Sequence, residues 1–303
     1  MFRIKLKNNK SFSCDKDSTI YEAAKFNNIL LEHSCLSSRC RSCLVKVISG
    51  NTVNKEKEFV LTQDEKNQNF VLSCNAKPLS DLDLDLEDLG NIKLYQKKII
   101  PSKINNIEKL TNDVIKITLR IPPKTDFKFN SGQFLNFNRE KINRSYSIAN
   151  SSQHKNQLEF FIKKYQNGLM SKYLFEEAKI NDLLMLEGPM GTFFLRNSNY
   201  ENIVFLATGT GIAPIKSIIE DIDNSDLQFK NKNFWLFVGA RYENDLLWEP
   251  NFENLNINYI PVLSRQVNNW DGEKGYVQDV VIKKQIDLST CQIYACGSYN
   301  MIN

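Results

Sequence analysis

The chain has 303 residues, 42% hydrophobic and 24% charged, with a formal net charge of +4. That length implies roughly two to three domains, and the composition is that of an ordinary globular protein. The positive charge is spread along the chain without a basic cluster or interleaved aromatics, which argues against nucleic-acid binding. No run approaches the roughly 20 apolar residues that a membrane span needs.

The first residues, Met-Phe-Arg-Ile-Lys-Leu-Lys, alternate apolar and charged side chains and lack the apolar core of a signal peptide. A cytoplasmic location with reduced thiols is therefore expected. Alternation over Phe2–Lys7 and Ser11–Cys14 predicts a hairpin turning at Asn8-Asn9. Ser18 is the expected N-cap of a helix over Thr19–Asn27, with Glu22 placed to meet the helix dipole.

Next comes Cys-Leu-Ser-Ser-Arg-Cys-Arg-Ser-Cys, a C-x4-C-x2-C loop over Cys35, Cys40 and Cys43, with Cys74 further on. That is the ligand spacing of a plant-type [2Fe–2S] cluster. Small Ser37, Ser38 and Ser42 leave room for backbone N–H groups to approach the sulfurs. A structural zinc site usually pairs two C-x2-C knuckles, whereas the second half here is a lone cysteine. A disulfide framework would need an oxidising compartment. Cys14 and Cys291 are expected to pack as small hydrophobes.

Leu44–Ile48 reads as a strand ending at Gly50, Asp64 and Glu65 open a short segment, and Asp81–Leu86 alternates leucine with carboxylate. The carboxylates form either a solvated strand face or an acidic docking surface for a redox partner. Residues 1–92 are assigned to one domain. A polar stretch from Asn91 to Ile100 suggests a linker, drawn at 93–100.

From 101 to 199 the chain is strand-rich: Val114–Ile121, Gly132–Phe137, Arg144–Ala149 and Leu158–Lys163, interrupted by one helical stretch, Leu169–Glu177. This predicts an antiparallel barrel with a single helix. Arg144-Ser145-Tyr146-Ser147 stands out on one strand. Gly168 and Ser171 open the helix, where free N–H groups favour a phosphate. Gly188–Phe193 is a turn that brings backbone near a ligand.

Residues 200–303 change period. Asn202–Ala207 is continuously apolar, as a buried parallel strand is. It runs into Thr208-Gly209-Thr210-Gly211-Ile212-Ala213-Pro214 and a helix expected over Ile215 to about Asp221. Further strands at Asn233–Ala240, Ile257–Ser264 and Gln292–Cys296, with a helix at Tyr276–Lys284, predict a doubly wound parallel sheet. A glycine-rich turn after its first strand is where a dinucleotide pyrophosphate belongs.

The motifs R-S-Y-S at 144–147, G-P-M-G-T-F at 188–193, G-T-G-I-A-P at 209–214 and C-G-S at 296–298 resemble, in order and spacing, the ferredoxin–NAD(P)H reductase superfamily. With the N-terminal cysteine loop, the chain is similar to its three-domain oxygenase-reductase type. RSYSIAN, LEGPMGTFF, Phe205–Ser217 and YACGSYNMI extend the likeness to the CDP-6-deoxy-Δ3,4-glucoseen reductases. Members often carry glycine where this chain has Ser38 or Arg41.

The resemblance implies a multidomain fold of α+β and α/β parts: a β-grasp ferredoxin, an antiparallel FAD-binding β-barrel and a doubly wound NAD(P)-binding domain. It implies an NAD(P)H-dependent flavin/iron–sulfur reductase that passes electrons through FAD to a [2Fe–2S] cluster. Such clusters sit near about −400 mV. The electrons would then reach a partner protein, a deoxysugar dehydratase or an oxygenase. Cys35, Cys40, Cys43 and Cys74 would ligate iron. Arg144 would pair with the flavin pyrophosphate, Tyr146 stack on the isoalloxazine, and Ser147 lie near its N5, with Ser145 beside them. Gly168, Leu169, Met170, Ser171, Gly191 and Thr192 would hold the FAD phosphates. Gly209, Thr210 and Gly211 would receive the NAD(P)H pyrophosphate, with Cys296 and Gly297 against the nicotinamide. Arg265 is a candidate for a 2′-phosphate, while Gly239-Ala240-Arg241 resembles NADH-using reductases, and NADH is the choice. The chain stops at Asn303, just past the fourth strand, so the last domain is expected to be cut short. Were hydride transfer lost with that part, a non-catalytic electron carrier would remain.

Overall fold

A computed structural model describes residues 1–90, 92–154, 156–224, 229, 232–266 and 268–302. Asn91, where the expected linker stretch begins, and Asn303 lie outside the described residues. Internal contacts divide the chain into two compact units, Met1–Leu94 with Gly191–Phe193, and Tyr95–Met190 with Phe194–Asn303. The barrel and the dinucleotide domain therefore share one unit.

In the first unit the hairpin forms as expected, β1 (Phe2–Leu6) with β2 (Ser11–Cys14), turning through Asn9 at φ 65°. Helix α1 (Ile20–Phe26) follows. Its N-cap is Thr19 rather than Ser18. The Thr19 hydroxyl accepts from the Glu22 amide and the Glu22 carboxylate accepts from the Thr19 amide, a reciprocal capping box that Ser18 is one residue too early to make. The remaining elements are β3 (Leu44–Ser49), β4 (Thr52–Asn54), α2 (Gln63–Asn67), β5 (Phe70–Leu72), β6 (Ala76–Pro78) and β7 (Leu82–Leu84). The sheet order is β2-β1-β7-β3-β5, with β1 and β7 parallel and β4–β6 a separate pair. Leu82 and Leu84 enter the core beside Ile4, Leu6 and Ile20. Cys14 packs there too, fully buried. The carboxylates of that strand are occupied: Asp81 accepts from the Arg3 amide, Asp83 from Ser49, and Asp85 pairs with Lys7. These contacts favour the solvated-face reading.

The second unit opens with β8 (Lys98–Lys109), which starts inside the stretch read as linker. Six strands follow the order β11 (Ile142–Ser147), β10 (Phe134–Arg139), β13 (Leu183–Met190), β8, β9 (Val114–Arg120), β12 (Gln157–Lys163), all antiparallel. An Ile148–Phe160 bridge joins the β11 end to β12 and closes the barrel. Its interior is apolar, with Phe137 packed edge-on against Phe160 at 4.7 Å between ring centres. The expected single helix is α3 (Leu169–Lys172), continuing as a wider turn over Tyr173–Glu177.

The parallel sheet then follows the order β17 (Glu273–Lys274), β16 (Ile257–Leu263), β15 (Asn233–Ala240), β14 (Asn202–Thr208), β18 (Cys291–Cys296). Helices α4 (Ile212–Asn224), α5 (Val277–Lys283) and α6 (Tyr299–Ile302) complete the unit. Helix α4 starts before Pro214, because the first turn of a helix has no use for the missing N–H.

A buried polar lock joins barrel to sheet within this unit. Lys216 on α4 is 7% exposed, and its Nζ donates to the Ala149 carbonyl at 2.9 Å and pairs with Glu220 at 2.5 Å and Glu159 at 3.3 Å. Ser217 donates to the Asn150 carbonyl, and Asp221 accepts from Ser151 and Ser152. Removing one partner of a buried pair costs more than the pair is worth, because a charge is left uncompensated. Lys216→Met should therefore lower the unfolding free energy of the second unit by roughly 3 kcal/mol, measured as a shift of the urea midpoint followed by flavin release. Lys216→Arg should lose less.

Candidate functional site

The cysteine loop of the first unit is stationed between α1 and β3. All four expected ligands are free thiols and occur as two pairs. The Cys35 amide donates to the Cys40 sulfur at 3.3 Å, and the Ser37 and Arg39 amides each donate to the Cys35 sulfur at 3.4 Å. The Cys43 and Cys74 sulfurs lie 3.3 Å apart. Among the described residues no three or more His, Cys, Asp or Glu side chains gather around a point for one ion. Two pairs are what a two-iron centre takes, two thiolates for each iron.

The thiol acidities follow the pairing. Hydrogen bonding from Cys40, helped by the Ser37 and Arg39 amides, holds Cys35 down to about 4. Cys43 does the same for Cys74, to about 7, while Cys40 and Cys43 are pushed up by holding the shared protons and by burial. Metal binding takes thiolates and releases such protons.

The loop backbone is bent for this. Leu36, Ser38 and Arg41 adopt φ of 51°, 58° and 62°. Each costs a non-glycine residue roughly 1–2 kcal/mol. The bends turn amides inward, and strain of this kind gathers at functional sites.

In the second unit one cavity of about 1170 Å³ is lined by Ser145, Tyr146 and Ser147 of β11, by Thr208–Gly211 and by Cys296–Gly297. Three of the four sequence motifs thus meet at one hollow. Tyr146 packs edge-on against Phe137 at 4.9 Å between ring centres, and burial pushes its hydroxyl up to about 12, so it stays a neutral, rigid platform. Burial likewise raises the half-buried Cys296 thiol to about 11, leaving it uncharged at the cavity wall.

The glycine turn is explained by close approach. Gly209 has φ 53°, and a Cβ there would enter open space, so the turn leaves a cradle over its amides. A Cβ on Gly211 would lie 2.1 Å from the Cys296 carbonyl oxygen, so only glycine lets the turn seat against β18. Thr208 fastens the same junction by accepting from the Ser298 amide at 2.8 Å.

Other expected residues stand outside this cavity. Arg144 is exposed on β11 and donates to the Asn143 carbonyl. Gly168 caps α3, and the Ser171 hydroxyl is spent on that turn, donating to the Gly168 carbonyl at 3.0 Å. Leu169 is exposed, whereas Met170 is fully buried in the barrel core and presents no side chain to a ligand. Gly191 and Thr192 group with the first unit, where the Thr192 amide and hydroxyl both donate to the His33 carbonyl, at 2.9 and 2.8 Å. The sequence reading missed Thr111–Val114, Lys163, Tyr242 and Tyr276, which also line the cavity. Val114 and Lys163 are end residues of expected strands and Tyr276 opens an expected helix, while Thr111–Asp113 and Tyr242 lie in turns that the topology alone brings together.

The fold and the two sites define a pyridine-nucleotide-dependent flavin and iron–sulfur reductase. Family models agree in chain order: a 2Fe-2S iron-sulfur cluster binding domain over 4–79, an oxidoreductase FAD-binding domain over 101–195 and an oxidoreductase NAD-binding domain over 205–303. The chain is 37% identical over 292 residues to the CDP-6-deoxy-L-threo-D-glycero-4-hexulose-3-dehydrase reductase of Yersinia pestis, covering 96% of this chain and 88% of that one. It is 31% identical to the phenol hydroxylase P5 protein of Acinetobacter pittii, covering 88% of this chain and 78% of that one. A ferredoxin reductase structure from carbazole 1,9a-dioxygenase shares the fold, with a TM-score of 0.67 and 24% identity over 99% of this chain and 91% of that one. The chain belongs to the family of dehydrase and oxygenase reductase components built from these three domains. No described helix is long and apolar enough to cross a membrane.

Two outcomes follow. Gly211→Ala forces the turn off β18, and a displacement of about 1 Å in a reacting pair costs roughly 100-fold in rate. Stopped-flow reduction of the flavin by NADH should slow on that order with FAD content unchanged. Glu65, on α2, is held down to about 2, chiefly by Arg41. A depressed carboxylate stabilises fully above its unfolded value near about 4.3 and loses that contribution as pH falls towards 2. The urea midpoint of the holoprotein should therefore exceed that of Glu65→Gln at pH 6, and the gap should close between pH 4 and pH 2.

Proposed function

We propose that the hollow shared by Tyr146-Ser147, Gly209–Gly211 and Cys296-Gly297 is where this chain moves hydride from NADH to FAD. The four cysteines, Cys35, Cys40, Cys43 and Cys74, hold the iron–sulfur acceptor in this reading. The carrying observation is that one cavity is bordered by both the barrel motif and the dinucleotide turn. When bound, nicotinamide supplies two electrons as hydride, FAD accepts the pair and hands electrons on singly, and the cluster takes one at a time.

The chain's own residues supply alignment and polarity. Tyr146 offers a flat neutral ring. Ser147 offers a hydroxyl beside it, a hydrogen-bond partner for a flavin ring nitrogen. The amides of Gly209, Thr210 and Gly211 open the N-terminal end of α4 to a pyrophosphate. Cys296 and Gly297 keep the opposite wall small and uncharged. In the assignment made from the motifs, Arg144 and the Gly168–Ser171 and Gly191–Thr192 turns hold the FAD phosphates. NADH is favoured over NADPH because Gly239-Ala240-Arg241, which resembles NADH-using reductases, borders the cavity, whereas Arg265, the candidate for a 2′-phosphate, does not.

For the partner we propose a dehydrase acting on a CDP-linked deoxysugar, on the strength of the Yersinia likeness over nearly the whole chain. The phenol hydroxylase likeness supports an oxygenase as the second reading. Adding NADH anaerobically to purified holoprotein should bleach the flavin and then the cluster. A flavin that stays oxidised with both centres present would rule the reductase out. Tyr146→Ala should weaken FAD binding roughly tenfold while leaving cluster absorbance intact. Electron delivery to a purified CDP-deoxysugar dehydrase, against an oxygenase component, separates the two partners.

A further inference from the structure

Arg41 occupies a position that its backbone does not suit. Its φ of 62° belongs to glycine's territory, and it stands between two of the proposed ligands, Cys40 and Cys43. A long charged side chain there gains nothing from local propensity, so the informative feature is what the guanidinium holds. That group is 12% exposed. It pairs with Glu65 through both nitrogens, Nη2 to Oε1 and Nη1 to Oε2 at 3.0 Å, and Nη1 also donates to the Val60 carbonyl at 2.8 Å.

Glu65 is itself fixed. Its carboxylate accepts from the Thr62 amide at 2.9 Å and the Thr62 hydroxyl at 3.1 Å, as part of the cap of α2. The Arg41 carbonyl accepts from the Leu44 amide at 2.9 Å, closing the loop on its other side. A planar fork against a carboxylate fixes direction as well as distance, which an ammonium does not.

We infer that Arg41 is a positioning residue for the iron–sulfur centre, a strap from the ligand loop to the α2 cap that keeps Cys40 and Cys43 at ligating separation. This rests on the reading of Cys35, Cys40, Cys43 and Cys74 as ligands. The strap also compensates the strained backbone at residue 41.

The test is the rate at which a chelator bleaches the cluster of holoprotein, in wild type, Arg41→Gly, Arg41→Lys, Glu65→Gln, Thr62→Ala and the Arg41→Gly/Glu65→Gln double variant. Loss should quicken about tenfold, the worth of a charge-assisted hydrogen bond, in Arg41→Gly, Arg41→Lys and Glu65→Gln. The double variant should be no faster than either single one, since both remove one strap. Thr62→Ala, which removes the hydroxyl contact on Glu65 but leaves the residue-62 amide and the fork, should quicken loss less than Glu65→Gln does. Midpoint potential from an EPR-monitored titration should rise in Glu65→Gln, where the guanidinium is left uncompensated beside a centre that gains negative charge on reduction. A cluster in Arg41→Gly as long-lived as wild type, additive effects in the double variant, Thr62→Ala as labile as Glu65→Gln, or an unmoved potential would each overturn the inference. Wild-type protein that binds no cluster would instead remove the ligand reading itself.

Discussion

The second unit depends on one buried amine. Lys216 is placed on α4 a little more than one turn past Gly211, and its Nζ reaches the Ala149 carbonyl, two residues past Ser147. The helix that begins at the dinucleotide turn is thereby tied to the strand that carries the barrel motif. A lone ammonium in such a place would pay a large desolvation cost. Glu159 from the barrel and Glu220 from the helix offset it, so the charge is satisfied only when both halves of the unit are in register. Ser217 and Asp221 extend the lock along the same face of α4 to Asn150, Ser151 and Ser152. A dry apolar seam would tolerate sliding, whereas directional bonds to named carbonyls do not.

The same unit is held at its other side by contacts that admit no side chain. Gly211 rests on the Cys296 carbonyl, and Thr208 takes the Ser298 amide. The cavity wall is therefore mostly backbone, whose position is set by sheet register: Ala207 pairs with Cys296 across β14 and β18. The lock on one face and the close-packed turn on the other leave the hollow between two surfaces that cannot shift separately.

Much of this was legible in the chain, for identifiable reasons. Cysteine spacing, period-two alternation and a glycine turn after an apolar strand are local signals, and all three led to the right elements. What failed was local too. Strand β8 was hidden because Pro101 and its lysines resemble a linker. In the folded chain Ile100, Ser102 and Ile104 point inward, the polar Ser102 satisfied by the Leu184 carbonyl at 2.8 Å. Strand β13 was hidden because Gly188-Pro189 reads as a turn, although Leu184 and Leu186 fill the barrel core. The lock around Lys216 and the strap at Arg41 left no sequence signature. Each joins residues far apart in the chain, and a lysine or arginine in isolation reads as surface charge.

The division of the chain follows from what each chemical step demands. Hydride transfer makes and breaks bonds, so donor and acceptor must be held at near-attack separation within fractions of an ångström. The residues proposed to align the reacting rings, Tyr146-Ser147 and Cys296-Gly297, accordingly belong to a single compact unit, pinned by Lys216 and the Gly211 seat. Passing a lone electron to a metal centre makes no bond between the groups, and it places no such demand on a shared core. The cysteine loop can therefore belong to a separately folded sheet with its own interior of Ile4, Ile20, Leu82 and Leu84. Rigidity is still needed inside that sheet, because thiolates must meet a two-iron centre in fixed pairs. The bent backbone at Leu36, Ser38 and Arg41 shows where the fold spends stability to obtain it.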